Sequence, residues 1–261
     1  MPTTVTTTTT TAAGATTTTT TTVTTAAKQS PIKCYHTMTG APNPQIVDLA
    51  AAELGIDLKS VIKEVDLPGG ENRNPEYLKM NPSGGLPFLE LESGVFISET
   101  MAICELFEEM VEGTLIGSTP TERAQTRMWQ RRVEQQIAIP MMNSFRWGSA
   151  KDFFAKRGHH GLCPSDAAAE QQMTVVKDQL KWLDGLMGDN EWVCGDRYSL
   201  ADITLYGMVW FFCVTPGFGP PFPDLLKEEL PWVWAWYRRV EARAATKACD
   251  AGYAERGPLK N

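Results

Sequence analysis

The chain has 261 residues, 43% of them hydrophobic and 21% charged, with a formal net charge of -7 and a pI of about 5.1. That is enough apolar material for one large or two modest globular domains, and the acidic balance argues against a nucleic-acid binder, whose affinity rests on clustered Lys and Arg. Six scattered cysteines (Cys34, Cys104, Cys163, Cys194, Cys213 and Cys249) form no C-x-x-C pair, which excludes a zinc knuckle and a dithiol redox motif.

Such cysteines suit a reducing compartment, where free Cys behaves as a small hydrophobe. Residues 3–25 hold 17 threonines with Ala, Val and Gly and no charge. A segment with so little apolar surface is expected to be a disordered tail over residues 1–30. It has no apolar stretch of the secretory kind. Its hydroxyl-rich, acid-free composition leaves an organelle-targeting segment as the alternative to a cytoplasmic location, although no Arg or Lys precedes Lys28.

Regular patterning begins at Ile32. Ile32 to His36 reads as a short strand, and Ala41-Pro42-Asn43-Pro44 as a loop. Ile46, Val47, Leu49, Ala50 and Leu54 then recur at helical spacing up to Gly55. Asn43 fits the N-cap of this helix, with Pro44 at its first position. Ser60 to Leu67 alternates like a half-buried strand. Two more strands, Leu86 to Leu91 and Val95 to Ser98, flank the turn at Glu92-Ser93-Gly94, and a helix follows from Glu99 to Val111. The order strand, helix, strand, hairpin, helix matches a thioredoxin-like α/β domain over residues 31–113, with a linker at 114–118.

The rest reads as all-helical, over residues 119–250, with a tail at 251–261. Thr119, Pro120 and Glu122 form a capping box for a helix running to Ile139, before Pro140. Further helices are expected over Ser165–Met187, from Ser199, and over Trp232–Ala245. The longest apolar stretch, Leu200 to Thr215, is interrupted by Asp202 and falls short of the ~20 residues that span a bilayer. No membrane partner is expected.

The segment Asn81-Pro82-Ser83-Gly84-Gly85-Leu86-Pro87, followed by Ser98-Glu99-Thr100 and Ala102-Ile103, resembles the N-P-x-G-x-x-P … E-[ST]-x-A-I signature of cytosolic glutathione transferases. Gly195-Asp196-Arg197-Tyr198-Ser199-Leu200-Ala201-Asp202 fits the same family, and the resemblance covers about residues 32–245. It implies a thioredoxin-like domain joined to an all-α domain, a detoxifying transferase, glutathione as co-substrate, no metal, a homodimer, and a hydrophobic electrophile as second substrate.

Glutathione has an α-ammonium, two carboxylates and a thiol. The resemblance makes Pro87 the cis-proline that turns the Leu86 N–H and C=O toward the cysteinyl backbone. It puts Glu99 on the ammonium group. Thr100 and the helix start then hold the γ-glutamyl carboxylate. The thiol must become a thiolate before it attacks. Ala41 stands where Ser-type members carry their hydroxyl, and Tyr35 is early for the Tyr-type position. Ala41-Pro42-Asn43-Pro44-Gln45-Ile46-Val47 is similar to the T-P-N-G-x-K-V segment of nu-type bacterial and fungal members, which implies that Asn43 contacts the sulfur. The alternative is that Asn43 only caps the helix. Thr39 and Thr37 are the other hydroxyl candidates.

Gly85 stands where relatives often carry Lys or Gln, and Arg73, Lys79 or an arginine of the next helix are candidates to compensate. Arg123, Arg127 and Arg131 form a helical stripe, read as a solvated face, a partner contact or a glycine-carboxylate site. Trp129, Phe145, Trp147, Phe211, Phe212 and Phe218 supply core or pocket aromatics, and His159 and His160 an exposed loop. A non-catalytic scaffold on the same fold is the competing function, favoured by Ala41 and Gly85.

Overall fold

A computed structural model describes residues 3–10, 16–23, 31–157, 162–214 and 222–256. His159, His160 and Phe218 lie outside the described residues. The chain divides into two units, Met1–Pro31 and Ile32–Asn261. In the first, β1 (Thr3–Thr10) and β2 (Thr16–Val23) pair antiparallel, from Thr3 against Val23 to Thr10 against Thr16. The disorder expected from composition gives way here to an extended ladder. The reason is that threonine is β-branched and favours extended backbone.

The second unit opens with β3 (Ile32–Thr37), four of whose six residues are buried. Helix α1 (Pro42–Glu53) follows, then β4 (Ile62–Glu64), preceded by a single 3-10 turn at Lys59–Val61. The strand expected over Ser60–Leu67 is therefore much shorter, because the chain turns away after Glu64 into the loop that leads to α2 (Pro75–Met80). Strands β5 (Phe88–Leu91) and β6 (Phe96–Ser98) form the hairpin, and α3 (Thr100–Val111) closes the domain. The sheet order is β4-β3-β5-β6, with β3 parallel to β4 and antiparallel to β5. Gly94, at φ 80°, makes the hairpin turn.

The second half is helical. The capping box forms as expected: Glu122 N–H donates to the Thr119 hydroxyl at 3.2 Å, and the Glu122 carboxylate accepts from Ser118 and Thr119 N–H. Helix α4 (Pro120–Val133) does not end before Pro140. It widens into a π turn at Glu134–Ala138 and continues as α5 (Ile139–Trp147). Proline has no N–H for the carbonyl four residues back. The wider turn absorbs the mismatch, with Ile139 N–H donating to Glu134 C=O. Short α6 (Lys151–Ala155), α7 (Asp166–Met187) and α8 (Leu200–Val214) follow. After them come α9 (Phe222–Glu229), α10 (Pro231–Glu241) and α11 (Ala244–Arg256). Helices α6, α9 and α11 have no counterpart in the sequence reading. The segment read as one helix over Trp232–Ala245 breaks near Ala242, and α11 covers most of the expected C-terminal tail.

Helix α8 is buried from Leu200 to Phe212 and is the axis of the core. Helix α1 of the α/β half packs directly against it. A Cβ on Gly207 would lie 2.4 Å from Ile46 Cγ1, so only glycine lets α1 approach this closely. The buried Asp202 carboxylate accepts from Val193 N–H, Ser199 N–H and hydroxyl, and Trp236 Nε1. Burial still pushes its carboxyl up from the ordinary value. Elsewhere Arg243 forks onto Glu53 of α1 at 2.6 and 2.8 Å, and Gln45 donates to Asp250. These bonds fix the position of α1 against the helical half. All six cysteines are free thiols.

Candidate functional site

A cavity of about 920 Å³ lies between the α/β elements and the helices. One wall is the start of α1. The second is the segment from Asn81 to Pro87 with Arg73, and the third is the start of α3. The opposite wall comes from the π turn, α5, α6 and α8.

At the first wall Ala41, not Asn43, is the N-cap of α1, and it makes no side-chain cap bond. Asn43 is the second helical residue, flanked by Pro42 and Pro44. The expected cap role is thus overturned: the helix starts two residues earlier than the pattern suggested, with Pro42 and not Pro44 at its first position. Neither proline has an N–H. Asn43 therefore supplies the one backbone N–H among the first three helical positions, at the positive end of the helix dipole. Its amide makes no hydrogen bond among the described residues and lines the cavity. Of the side chains on this wall between Met38 and Ile46, Asn43 is the only one with an N–H or O–H.

The rival hydroxyls are elsewhere. The Thr39 hydroxyl donates to Glu64 at 2.6 Å, and its N–H donates to the same carboxylate. Thr39 does not line the cavity, and the expected catalytic role does not fit its position. Tyr35 and Thr37 are buried in β3. Cys34 is half-buried, and burial pushes its thiol up, away from thiolate formation.

At the second wall the Leu86–Pro87 bond is cis and both residues line the cavity. Among the described residues the Leu86 N–H and C=O have no partner within the chain. Asn81 and Asn72 brace this loop by donating to the carbonyls of Gly85 and Gly84. Arg73 donates to Ser83 C=O at 3.0 Å and lines the cavity beside Gly85, whereas Lys79 is exposed outside it.

At the third wall Glu99 is the N-cap residue of α3, with φ 71°, a conformation that side chains other than glycine rarely adopt. Its carboxylate is exposed and makes no cap bond. Thr100 opens the helix beside it. The structure thus brings Asn43, Leu86, Pro87, Glu99 and Thr100 to one cavity.

The arginine stripe has a different use. Arg127 pairs with Glu105 and Arg123 with Glu109, joining α4 to α3, and Arg131 pairs with Glu134. None of the three lines the cavity. Phe145 and Phe211 do line it, ring to ring at 5.3 Å. The sequence reading missed Arg146, Phe153, Phe154 and Arg157, all on this opposite wall. Phe153, Phe154 and Arg157 sit on or just after α6, which is too short to produce a periodic signal. Arg146 between Phe145 and Trp147 is a charge inside an apolar run, the one signal that pointed to it.

Two family models, the N-terminal and C-terminal domains of glutathione S-transferases, match residues 41–110 and 166–239. Glutathione S-transferase 2 of Saccharomyces cerevisiae is 30% identical over 224 residues, covering 82% of this chain and 87% of that protein. The chain belongs to the glutathione S-transferase family. Among solved structures of the family, a glutathione S-transferase domain-containing protein of Marinobacter aquaeolei superposes with a TM-score of 0.71 at 30% identity, covering 81% of this chain and 98% of that one. Gtt2 from Saccharomyces cerevisiae superposes with a TM-score of 0.69 at 26% identity, covering 83% and 99%. The expected glutathione transferase fold, a four-stranded thioredoxin-like sheet with helices followed by a helical domain, is the fold found. Among the described residues no group of His, Cys, Asp and Glu is arranged to hold a metal ion, and no helix is long and apolar enough to cross a membrane.

Proposed function

We propose that this chain is an active glutathione transferase that holds the glutathione sulfur at Asn43. The free Leu86 N–H and C=O pair with the cysteinyl backbone of the tripeptide. The start of α3 takes the γ-glutamyl carboxylate, with Thr100 donating to it, and Glu99 accepts from the ammonium group. The sulfur then falls at the start of α1. There the Asn43 amide and backbone N–H donate to S⁻ and lower the thiol pKa.

The reaction follows from that placement. The thiol proton leaves to solvent, and the sulfur lone pair forms a C–S bond to an electrophilic carbon. The bond from that carbon to its leaving group breaks, and the leaving group departs with the electron pair. The aromatic wall of Phe145 and Phe211 holds the electrophile beside the thiolate, and proximity supplies much of the rate gain. The observation that carries this reading is the unengaged Asn43 side chain in a first turn whose prolines offer no other donor. A homodimer and a cytoplasmic location accompany the proposal as the ordinary setting of such an enzyme.

Calorimetry with glutathione, followed by conjugation to 1-chloro-2,4-dinitrobenzene and other electrophiles, tests it. Binding with turnover is expected. Binding without turnover of any electrophile would support the competing scaffold function, and absence of binding would reject the transferase reading.

A further inference from the structure

The helical wall of the cavity carries a charge with no counterpart among the described residues. Arg146 lies on α5 and lines the cavity. Its Nε is buried with no hydrogen-bond partner. Among the described residues no carboxylate lies within ion-pair distance of it. Its guanidinium stands 5.7 Å from the centre of the Phe154 ring. Burial alone lowers its pKa from the ordinary value, yet arginine remains protonated in proteins.

The neighbouring charges do not compensate. Glu134 lines the cavity but is paired with Arg131 at 3.1 Å. Arg157 also lines the cavity, but its N–H groups are directed at the carbonyls of Pro68 and Phe153. A buried, unpaired charge is costly to a fold, and one that faces an open cavity is matched by what enters it. Carboxylate is the natural partner, since the guanidinium fork binds it with two parallel hydrogen bonds. Phe154 lies beside the guanidinium, and Phe145, Phe153 and Phe211 continue from it as a run of ring contacts on the same wall, with the Arg157 guanidinium over the Phe153 ring.

We infer that the second substrate is an aromatic or otherwise apolar acid, whose carboxylate pairs with Arg146 while its apolar body packs on the phenylalanine cluster. This names the electrophile class of the site proposed above and rests on that reading. Arg146 is then a specificity-determining residue.

The test uses unreactive probes, so it does not depend on turnover. The binding of 3-nitrobenzoate and of 3-nitrobenzamide is measured by calorimetry on the full chain saturated with glutathione. The acid should bind at least about ten-fold more tightly than the amide, in line with a charge-assisted hydrogen bond. Arg146→Met should abolish that preference and Arg146→Lys should retain part of it, with glutathione affinity unchanged in both. Arg157→Met should leave the preference intact. Equal binding of the two probes would overturn the inference. So would a preference that survives Arg146→Met in a protein with an unchanged melting curve, or an acid that competes with glutathione rather than binding beside it. If Arg146→Met fails to fold, loss of part of the preference in Arg146→Lys decides in favour and its full retention against. Failure to bind glutathione at all would reject the transferase reading, and the two probes measured without glutathione would then decide the Arg146 assignment alone.

Discussion

Replacing Asn43 separates the chemistry of the site from the stability of its helix. Asn43 is the second residue of α1 and makes no cap bond, so Asn43→Ala removes no hydrogen bond from the fold. Alanine is the better helix former by up to about 0.7 kcal/mol. The melting temperature should therefore hold or rise by roughly a degree or two. The thiolate, by contrast, loses a charge-assisted donor worth ~1.5–3 kcal/mol. At ~1.4 kcal/mol per pKa unit, the bound thiol should rise by roughly one to two units. Near neutral pH that lowers the thiolate fraction, and with it turnover, by about ten- to hundred-fold. Some activity remains, because the backbone N–H at position 43 and the helix dipole are unchanged. Asn43→Asp goes further. An acid in the first turn suits the dipole by ~0.3–1 kcal/mol, so the fold is kept. Its carboxylate only accepts hydrogen bonds and repels S⁻. The assay is kcat/KM against pH for conjugation to 1-chloro-2,4-dinitrobenzene. The profile of Asn43→Ala should shift to higher pH and converge with wild type on the alkaline plateau. Superimposable profiles would refute the reasoning.

Three further outcomes are expected. Glu99→Gly removes the carboxylate while relieving a backbone held at φ 71°; the melting temperature should stay level or rise, and glutathione affinity measured by calorimetry should fall about ten-fold or more. Gly207→Ala places a methyl 2.4 Å from Ile46 Cγ1, and overpacking of ~1–3 kcal/mol should lower the thermal midpoint by several degrees; an unchanged midpoint would show that α1 and α8 are not held at this distance. Deleting residues 1–30, which fall within the separate unit Met1–Pro31, should leave melting temperature and conjugation rate unchanged, and a loss of several degrees would show that the segment supports the body of the protein.

How far the sequence could be read depended on the range of the interactions involved. The Leu86–Pro87 turn, the Glu99 helix start and the Thr119 capping box are local, and their residues announce themselves by type and spacing. The start of α1 lies two residues before the expected one because Pro42 and Pro44 compete for the first helical position, and only the backbone decides between them. Thr39 looked available until β4 brought Glu64 under its hydroxyl, a pairing 25 positions apart in sequence. Pro140 looked like a helix end because a π turn has no reliable residue signature. The arginine stripe on α4 could not be assigned without knowing that α3 packs beside it. Arg146 and Arg157 belong to the cavity only through the packing of α5 and α6 against the α/β domain, which no local pattern records.

The account turns on where the sulfur of bound glutathione lies, and a crystal structure of the glutathione complex measures that position directly. The expected result is a sulfur within hydrogen-bonding distance of the Asn43 amide and backbone N–H, a cysteinyl backbone paired with Leu86, and a γ-glutamyl carboxylate at the start of α3. A sulfur held by any other group, with Asn43 turned away from it, would contradict the account.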